Sequence, residues 1–319
     1  MPMHVRSTVC RCLASERRFT RLSFPTRSRR FSPGGVLPRR GGVPGFPLPC
    51  SRSFPMDHAA LRTQLPALVG PFLPRNVRSF NYRIYDDQPA VSTLGFVIDP
   101  QPFEGKVIAK TDHALIVQIA RAQFAIVDRH LASNDPEEGA KVAVTPYARH
   151  HFDGTRLDAP VEETRKTADG QTYTVQSVIL GGSTTKLPVP KPQCPELAAL
   201  IEQLEQLPAP DRFRRISHLL VDAGACEFVS VDPEPDDTTP PSIAFSVDTA
   251  KFSGQVTIRY DYGMDLYVIE LRRDSKLIER VEEISFDMLG EMLERLIDDG
   301  HWRQIRIDVL AQPSRKRCA

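Results

Sequence analysis

The sequence predicts an α+β fold in two parts: a small antiparallel β-barrel-like domain, followed by an α+β domain with helices on one face of an antiparallel sheet. Three observations predict it. Between Leu94 and Tyr147, apolar runs of strand length alternate with turn chemistry. From Leu197 onward helical spacing comes first, strands follow, and an amphipathic helix comes near the end. Between the two, Leu187-Pro188-Val189-Pro190-Lys191-Pro192 favours an extended chain and marks a boundary. The 319 residues are room for two ordinary domains. The expected organisation is a disordered basic leader over 1–55, a β-rich barrel-like domain over 56–187, a Pro-rich linker over 188–195, an α+β domain over 196–311 and a basic tail over 312–319.

The formal net charge of +1 conceals opposite regions. Residues 1–55 hold eleven arginines and one acid, Glu16, among Ser, Pro and Gly, with no apolar period. Such a segment cannot bury enough surface to offset chain entropy. Its composition is that of an organelle transit peptide, but Pro33, Pro38, Pro44, Pro47 and Pro49 interrupt the amphipathic helix such a peptide needs. A basic nucleic-acid arm is another reading, and the preferred one is a translation start at Met56, with the upstream residues a mis-assigned extension. Residues 56–187 carry 14 bases and 15 acids, and residues 188–319 carry 16 bases and 24 acids. The acidic second part repels phosphate, so another protein, or no partner at all, is expected there.

Of six cysteines only Cys194 and Cys226 lie in the expected folded body, and there is no Cys-x-x-Cys pair. Reduced thiols and a cytoplasmic setting are expected. No apolar run approaches the roughly 20 residues that cross a bilayer.

Leu61, Leu65, Leu68 and Val69 give a helical stripe over 57–69, which Pro66 is expected to limit to a turn or two. Strands are expected at 94–98, 103–110, 115–119, 123–127 and 141–147, with Gly105 at a bulge or bend. A hairpin of 161–166 with 172–180, turning at Asp169-Gly170, is expected to close this part. In the second part Leu197, Leu200, Ile201, Leu204 and Leu207 share a helix face, and Asp211 is expected to cap a second helix through Ile216, Leu219 and Leu220 to Gly224. Strands follow at 226–231, 243–247, 256–260 and 266–271, then a helix over 285–298. A last strand over 302–310, with Ile305, Ile307 and Val309 alternating, is assigned to this second part.

A family likeness arises in the first part. The order Phe103-Glu104-Gly105-Lys106-Val107-Ile108, Leu115-Ile116-Val117-Gln118, Phe124-Ala125-Ile126-Val127-Asp128 with His130-Leu131, then Glu138-Gly139-Ala140-Lys141-Val142, resembles the small β domain of KfrB-type proteins. Those are encoded on conjugative plasmids and related mobile elements. Arg121-Ala122-Gln123 departs from the pattern, lacking the glycine of that hairpin. The resemblance implies a bacterial mobile-element accessory protein, DNA-associated or regulatory.

No complete catalytic, cofactor or metal constellation accompanies these elements. Gly181-Gly182-Ser183-Thr184-Thr185-Lys186 fails the spacing of a phosphate-binding loop. His150, His151 and Asp153 could begin a metal site, but neighbours on a strand face opposite ways and a surface loop explains them better. Asp128-Arg129-His130 reads as an exposed charged turn, Tyr260, Tyr262 and Tyr267 as cross-strand packing, and Arg212, Arg214 and Arg215 as a solvated helix face. The interaction residues proposed from sequence are Lys106, Lys110, Arg121, Arg129 and His130, contacting DNA or a DNA-bound complex. The expected function is thus a non-enzymatic accessory or regulatory protein of a mobile genetic element. A purely protein-binding structural adaptor is the alternative, and a metal-dependent hydrolase using His150, His151 and Asp153 the third reading.

Overall fold

A computed structural model describes residues 56–77, 79–177, 184–234 and 237–313. The leader, Gly181–Ser183, the expected strand end at 178–180 and the basic tail from 314 lie outside the described residues. Four α-helices are described: α1 (His58–Val69), α2 (Pro195–Gln206), α3 (Ile216–Asp222) and α4 (Leu289–Ile297). The strands are β1 (Asn81–Tyr85), β2 (Ala90–Val91), β3 (Val97–Ile98), β4 (Phe103–Lys110), β5 (Ala114–Ala120), β6 (Gln123–Asp128), β7 (Lys141–Thr145), β8 (Val161–Lys166), β9 (Thr172–Ser177), β10 (Cys226–Val231), β11 (Ser242–Asp248), β12 (Ser253–Asp261), β13 (Leu266–Arg273), β14 (Lys276–Ile284) and β15 (Arg306–Ala311). The fold is mixed α+β with mostly antiparallel sheets.

The first sheet has the order β1-β6-β5-β4-β7-β15. Alternation along its strands sends Val107, Leu115, Val117, Ala125, Val127, Val142 and Val144 to one face. Ile108, Ala114, Ile116, Phe124 and Ile126 go to the other, where α1 covers them. Burial on both faces is why these strands read as nearly continuous apolar runs. α1 starts at Asp57, whose carboxylate accepts from the backbone N–H of Ala59 and Ala60. It runs through Pro66 for 12 residues instead of stopping after a turn or two. Burying Leu61, Leu65 and Val69, worth about 1.5–3 kcal/mol each, offsets the roughly 3 kcal/mol of an internal proline.

Several further expectations are corrected. β1 was not expected, and it pairs parallel to β6. The strand expected over 94–98 is reduced to β3, paired only with β2. The bulge in β4 falls between Val107 and Ala109 rather than at Gly105. Gly105 instead marks a close approach, because a Cβ there would stand 2.5 Å from Val117 Cγ1 and 2.6 Å from Gln118 O. The hairpin β8–β9 forms a two-stranded sheet of its own and closes nothing. Most importantly, the last strand is β15, which pairs with β7 in the first sheet, and Ile305 and Ile307 complete that sheet's core. Ile305 N donates to Leu131 O at 2.7 Å and Ser133 N to Ile305 O at 2.9 Å, so the segment that follows β6 is tied to the residue before β15 without closing a barrel.

The second sheet has the antiparallel order β10-β11-β12-β13-β14. Ile243, Ile258 and Ile269 lie in one cross-strand row and share a core with Leu197, Leu200 and Leu204 of α2, Leu219 of α3 and Leu293 of α4. β14, rich in Lys, Arg and Glu, was not foreseen. The expected linker is packed: Leu187 and Cys194 are buried in this same core, and Val189 rests on it. α3 begins at Ile216 rather than under an Asp211 cap. Asp211 instead accepts from the backbone N–H of Phe213 and Arg214, and Arg215 N donates to His218 Nδ1 at the helix start.

Candidate binding surface

The five residues proposed from sequence do not form one patch. Lys110 and Arg129 both pair with Asp135, at 2.7 and 2.6 Å, and together they hold its carboxyl below its usual range. His130 Nε2 lies 3.2 Å from His113 Nδ1 at the same end of the sheet. Arg121, in the turn at the opposite end, donates to Asn76 Oδ1 at 3.2 Å. Lys106 stands on an exposed part of the sheet, opposite Gln118 and Lys141, and Lys141 is paired with Glu104 at 2.7 Å.

His150, His151 and Asp153 build a local turn. The Asp153 carboxylate accepts from Thr155 N and Oγ1 at 2.9 and 2.6 Å, which lowers its pKa. His151 Nδ1 lies 3.3 Å from Oγ1 of the buried Thr185. Among the described residues no three His, Cys, Asp or Glu side chains gather as metal ligands. Lys186 is engaged by Glu205 at 2.5 Å. Tyr267 is buried, while Tyr260 packs on the rings of Tyr262 and Tyr267 and its hydroxyl donates to Asp265.

Arg214 is not on a solvated helix face. It is 1% exposed, and its guanidinium pairs with Asp211 (2.7 Å), Asp222 (2.7 Å) and Asp298 (2.6 Å). Its Cζ lies 3.8 Å from the centre of the Trp302 ring, and the Tyr147 hydroxyl donates to Asp222 at 2.8 Å. Burial pushes the Asp222 carboxyl up to about 6 despite Arg214. Burial likewise pushes neighbouring His218 down to about 3. This centre ties the segment after β7, both ends of α3, the end of α4 and the approach to β15. Its partners lie up to 84 residues apart in sequence, which is why no local pattern announces it.

The second sheet offers a surface of another kind. Helices pack on the Ile243–Ile258–Ile269 face, and the cross-strand register assigns the opposite face to Val229, Ala244, Thr257, Glu270 and Arg280 in one row. Arg259 and Arg272 lie two residues along β12 and β13 from that row. Three guanidiniums therefore converge on one carboxylate: Arg272 at 2.8 Å, Arg280 at 3.5 Å and Arg259 at 3.6 Å from Glu270. The arginines, Arg272 foremost, hold the Glu270 carboxyl below its usual range. Glu270 is buried beneath them, whereas each arginine side chain is a third or more exposed. Arg280 also pairs with the exposed Glu282 at 2.6 Å, leaving one surplus positive charge. Each guanidinium carries five N–H donors in a fixed fork, more than these ion pairs occupy. Val229 and Val231 of β10 flank the arginines and are exposed. The described aromatic rings of this sheet, Phe228, Phe245, Tyr260 and Tyr267, belong to or pack on the core side. Sequence reasoning missed this surface, because Arg259, Glu270, Arg272 and Arg280 look unrelated until the register aligns them. The chain matches no family model, no curated protein and no solved structure.

Proposed function

We propose that the protein is a non-enzymatic adaptor that docks a carboxylate-bearing protein surface on the open face of the second sheet. The observation that carries this reading is the set of three part-exposed guanidiniums around the single buried carboxylate of Glu270. A partner supplying carboxylates pairs with the forks in their preferred bidentate geometry, while Val229 and Val231 supply apolar contact. One feature favours protein over nucleic acid: among the described residues the open face carries none of the aromatic rings on which bases stack. The resemblance over 103–142 supplies the context, an accessory protein of a mobile genetic element. Two hydrogen bonds tying 131–133 to Ile305 support the finer reading of the first sheet as a small barrel.

The test is binding of the full chain to poly-glutamate and to duplex DNA at low and high salt, with an Arg259→Gln/Arg280→Gln variant that keeps the close Arg272–Glu270 pair. Salt-sensitive poly-glutamate binding that weakens about tenfold in the variant is expected, from two part-exposed pairs of up to ~1 kcal/mol each. Tighter binding to DNA, unchanged by the variant, overturns this reading in favour of DNA association through the first sheet.

A further inference from the structure

Two imidazoles meet at one end of the first sheet, brought there by different turns. His113 stands just before β5, in a turn whose Thr111 hydroxyl bonds both the N–H and the carbonyl of Ala114. His130 follows β6 by two residues, and its backbone N–H donates to the buried Asp128 carboxylate at 2.9 Å. Arg129 N donates to His113 O at 2.9 Å. Backbone contacts thus hold the two turns together while both imidazoles stay exposed.

The facing nitrogens, His113 Nδ1 and His130 Nε2, are 3.2 Å apart, and the ring centres 5.5 Å. Two imidazoles bound to one ion at about 2.0–2.1 Å, with a tetrahedral angle between them, hold their nitrogens about 3.3 Å apart. Either ring nitrogen serves as a ligand. In the absence of an ion one ring presents an N–H to the lone pair of the other. When an ion binds, that proton moves to the outer nitrogen of the same ring, and small rotations of the exposed rings turn both lone pairs to the ion.

The charged groups adjoining the pair do not repel a cation. Lys110 and Arg129 are both taken by Asp135, Asp112 precedes His113, Asp128 is bonded to His130 N, and Glu138 accepts from Lys110 N. These carboxylates outnumber the two cations, and they still do if Asp128, whose carboxyl is pushed up by burial, is protonated. Asp86 and Asp87 add negative charge on the Asp128 side, with Asp86 paired to His58. An anion meets the same excess of carboxylates.

We infer that His113 and His130 chelate one divalent transition-metal ion of the zinc class, with water in its remaining positions. Imidazole nitrogen suits zinc, nickel and copper, whereas magnesium and calcium take oxygen ligands. The pair is a two-armed clasp and lacks the four side-chain ligands of a structural zinc site, so its ion exchanges with solution. A bound ion staples the turn before β5 to the segment after β6.

The full chain is titrated with zinc chloride and, separately, with magnesium chloride, following the histidine imidazole resonances by NMR. His113→Gln, His130→Gln and His150→Gln/His151→Gln variants assign the signals, and the first two alter exposed side chains only. Saturable zinc shifts of the His113 and His130 signals together, with no response to magnesium, are expected. In either single variant the remaining imidazole is expected to bind zinc at least about tenfold more weakly, since losing even a group that only orients a metal ligand costs about that much. The His150→Gln/His151→Gln variant is expected to keep the full response. No zinc shift at the two signals, a shift of one without the other, an equal response to magnesium, an unchanged zinc affinity in either single variant, or loss of the response in His150→Gln/His151→Gln each overturn the inference.

Discussion

Arg214 shows how much one side chain decides. Its charge is the counter-ion for three carboxylates, and removing one partner of a buried ionic group costs about 3–5 kcal/mol because the others stay buried and unpaired. Arg214→Met is therefore expected to lower the urea midpoint by a corresponding amount. Acid titration separates two neighbours of this centre. Asp222 is raised from 3.8 to about 6, so between those values the native state holds a proton the unfolded chain has released. Stability contributed by that proton is present at low pH and lost as pH rises through 6, by at most ~3 kcal/mol. His218 is lowered from 6.5 to about 3, so the unfolded chain takes up a proton that the native state refuses. Its contribution is present above pH 6.5 and lost as pH falls toward 3. Asp222→Asn is expected to steepen the acid loss of stability between pH 6 and 4. His218→Asn, whose side-chain oxygen still accepts from Arg215 N, is expected to flatten it. Urea midpoints at pH 4, 6 and 8 check both slopes.

At the scale of elements, Gly105 fixes how closely β4 and β5 lie. A methyl group there meets Gln118 O, a backbone atom that cannot swing away. Gly105→Ala is expected to cost about 1–3 kcal/mol of overpacking, read as a lower melting temperature. The elements legible in the sequence were those whose burial is decided locally. β4 to β7 and α2 announced themselves through apolar runs and helical spacing, since a strand buried on both faces has little room for polar residues. β14 was illegible because most of its residues are charged, Leu277 and Ile278 stay exposed, and its packing is confined largely to Val281 and Ile284. β15 was recognised as a strand but given the wrong neighbours, because alternation of Ile305, Ile307 and Val309 specifies a half-buried ribbon without saying which sheet receives it. Pro66 misled for the same reason: its local cost was visible and the distant burial that outweighs it was not. Of the binding surface, no part could be read before cross-strand register placed Arg259 and Arg280 about Glu270.

For the molecule as a whole, the described residues fall in one compact unit, 53–319. β15 and the Arg214 centre knit early and late parts of the chain. A fragment of residues 56–187 lacks β15 and the Ile305 and Ile307 side chains that fill the first core. It is expected to aggregate or to show molten-globule signatures, with dye binding and no sharp thermal transition, while the full chain unfolds in one transition. Two separate calorimetric transitions in the full chain, with a fragment that folds alone, contradict this coupling.

The position of β15 also bears on synthesis. On the ribosome β7 emerges some 160 residues before the strand that completes its sheet. The nascent chain must keep an unprotected ladder edge out of trouble throughout that interval, and long-range pairing of this kind makes folding slow. A stop codon shortly before Arg306 therefore harms the sheet built from residues 81–145 more than the strands made just before it.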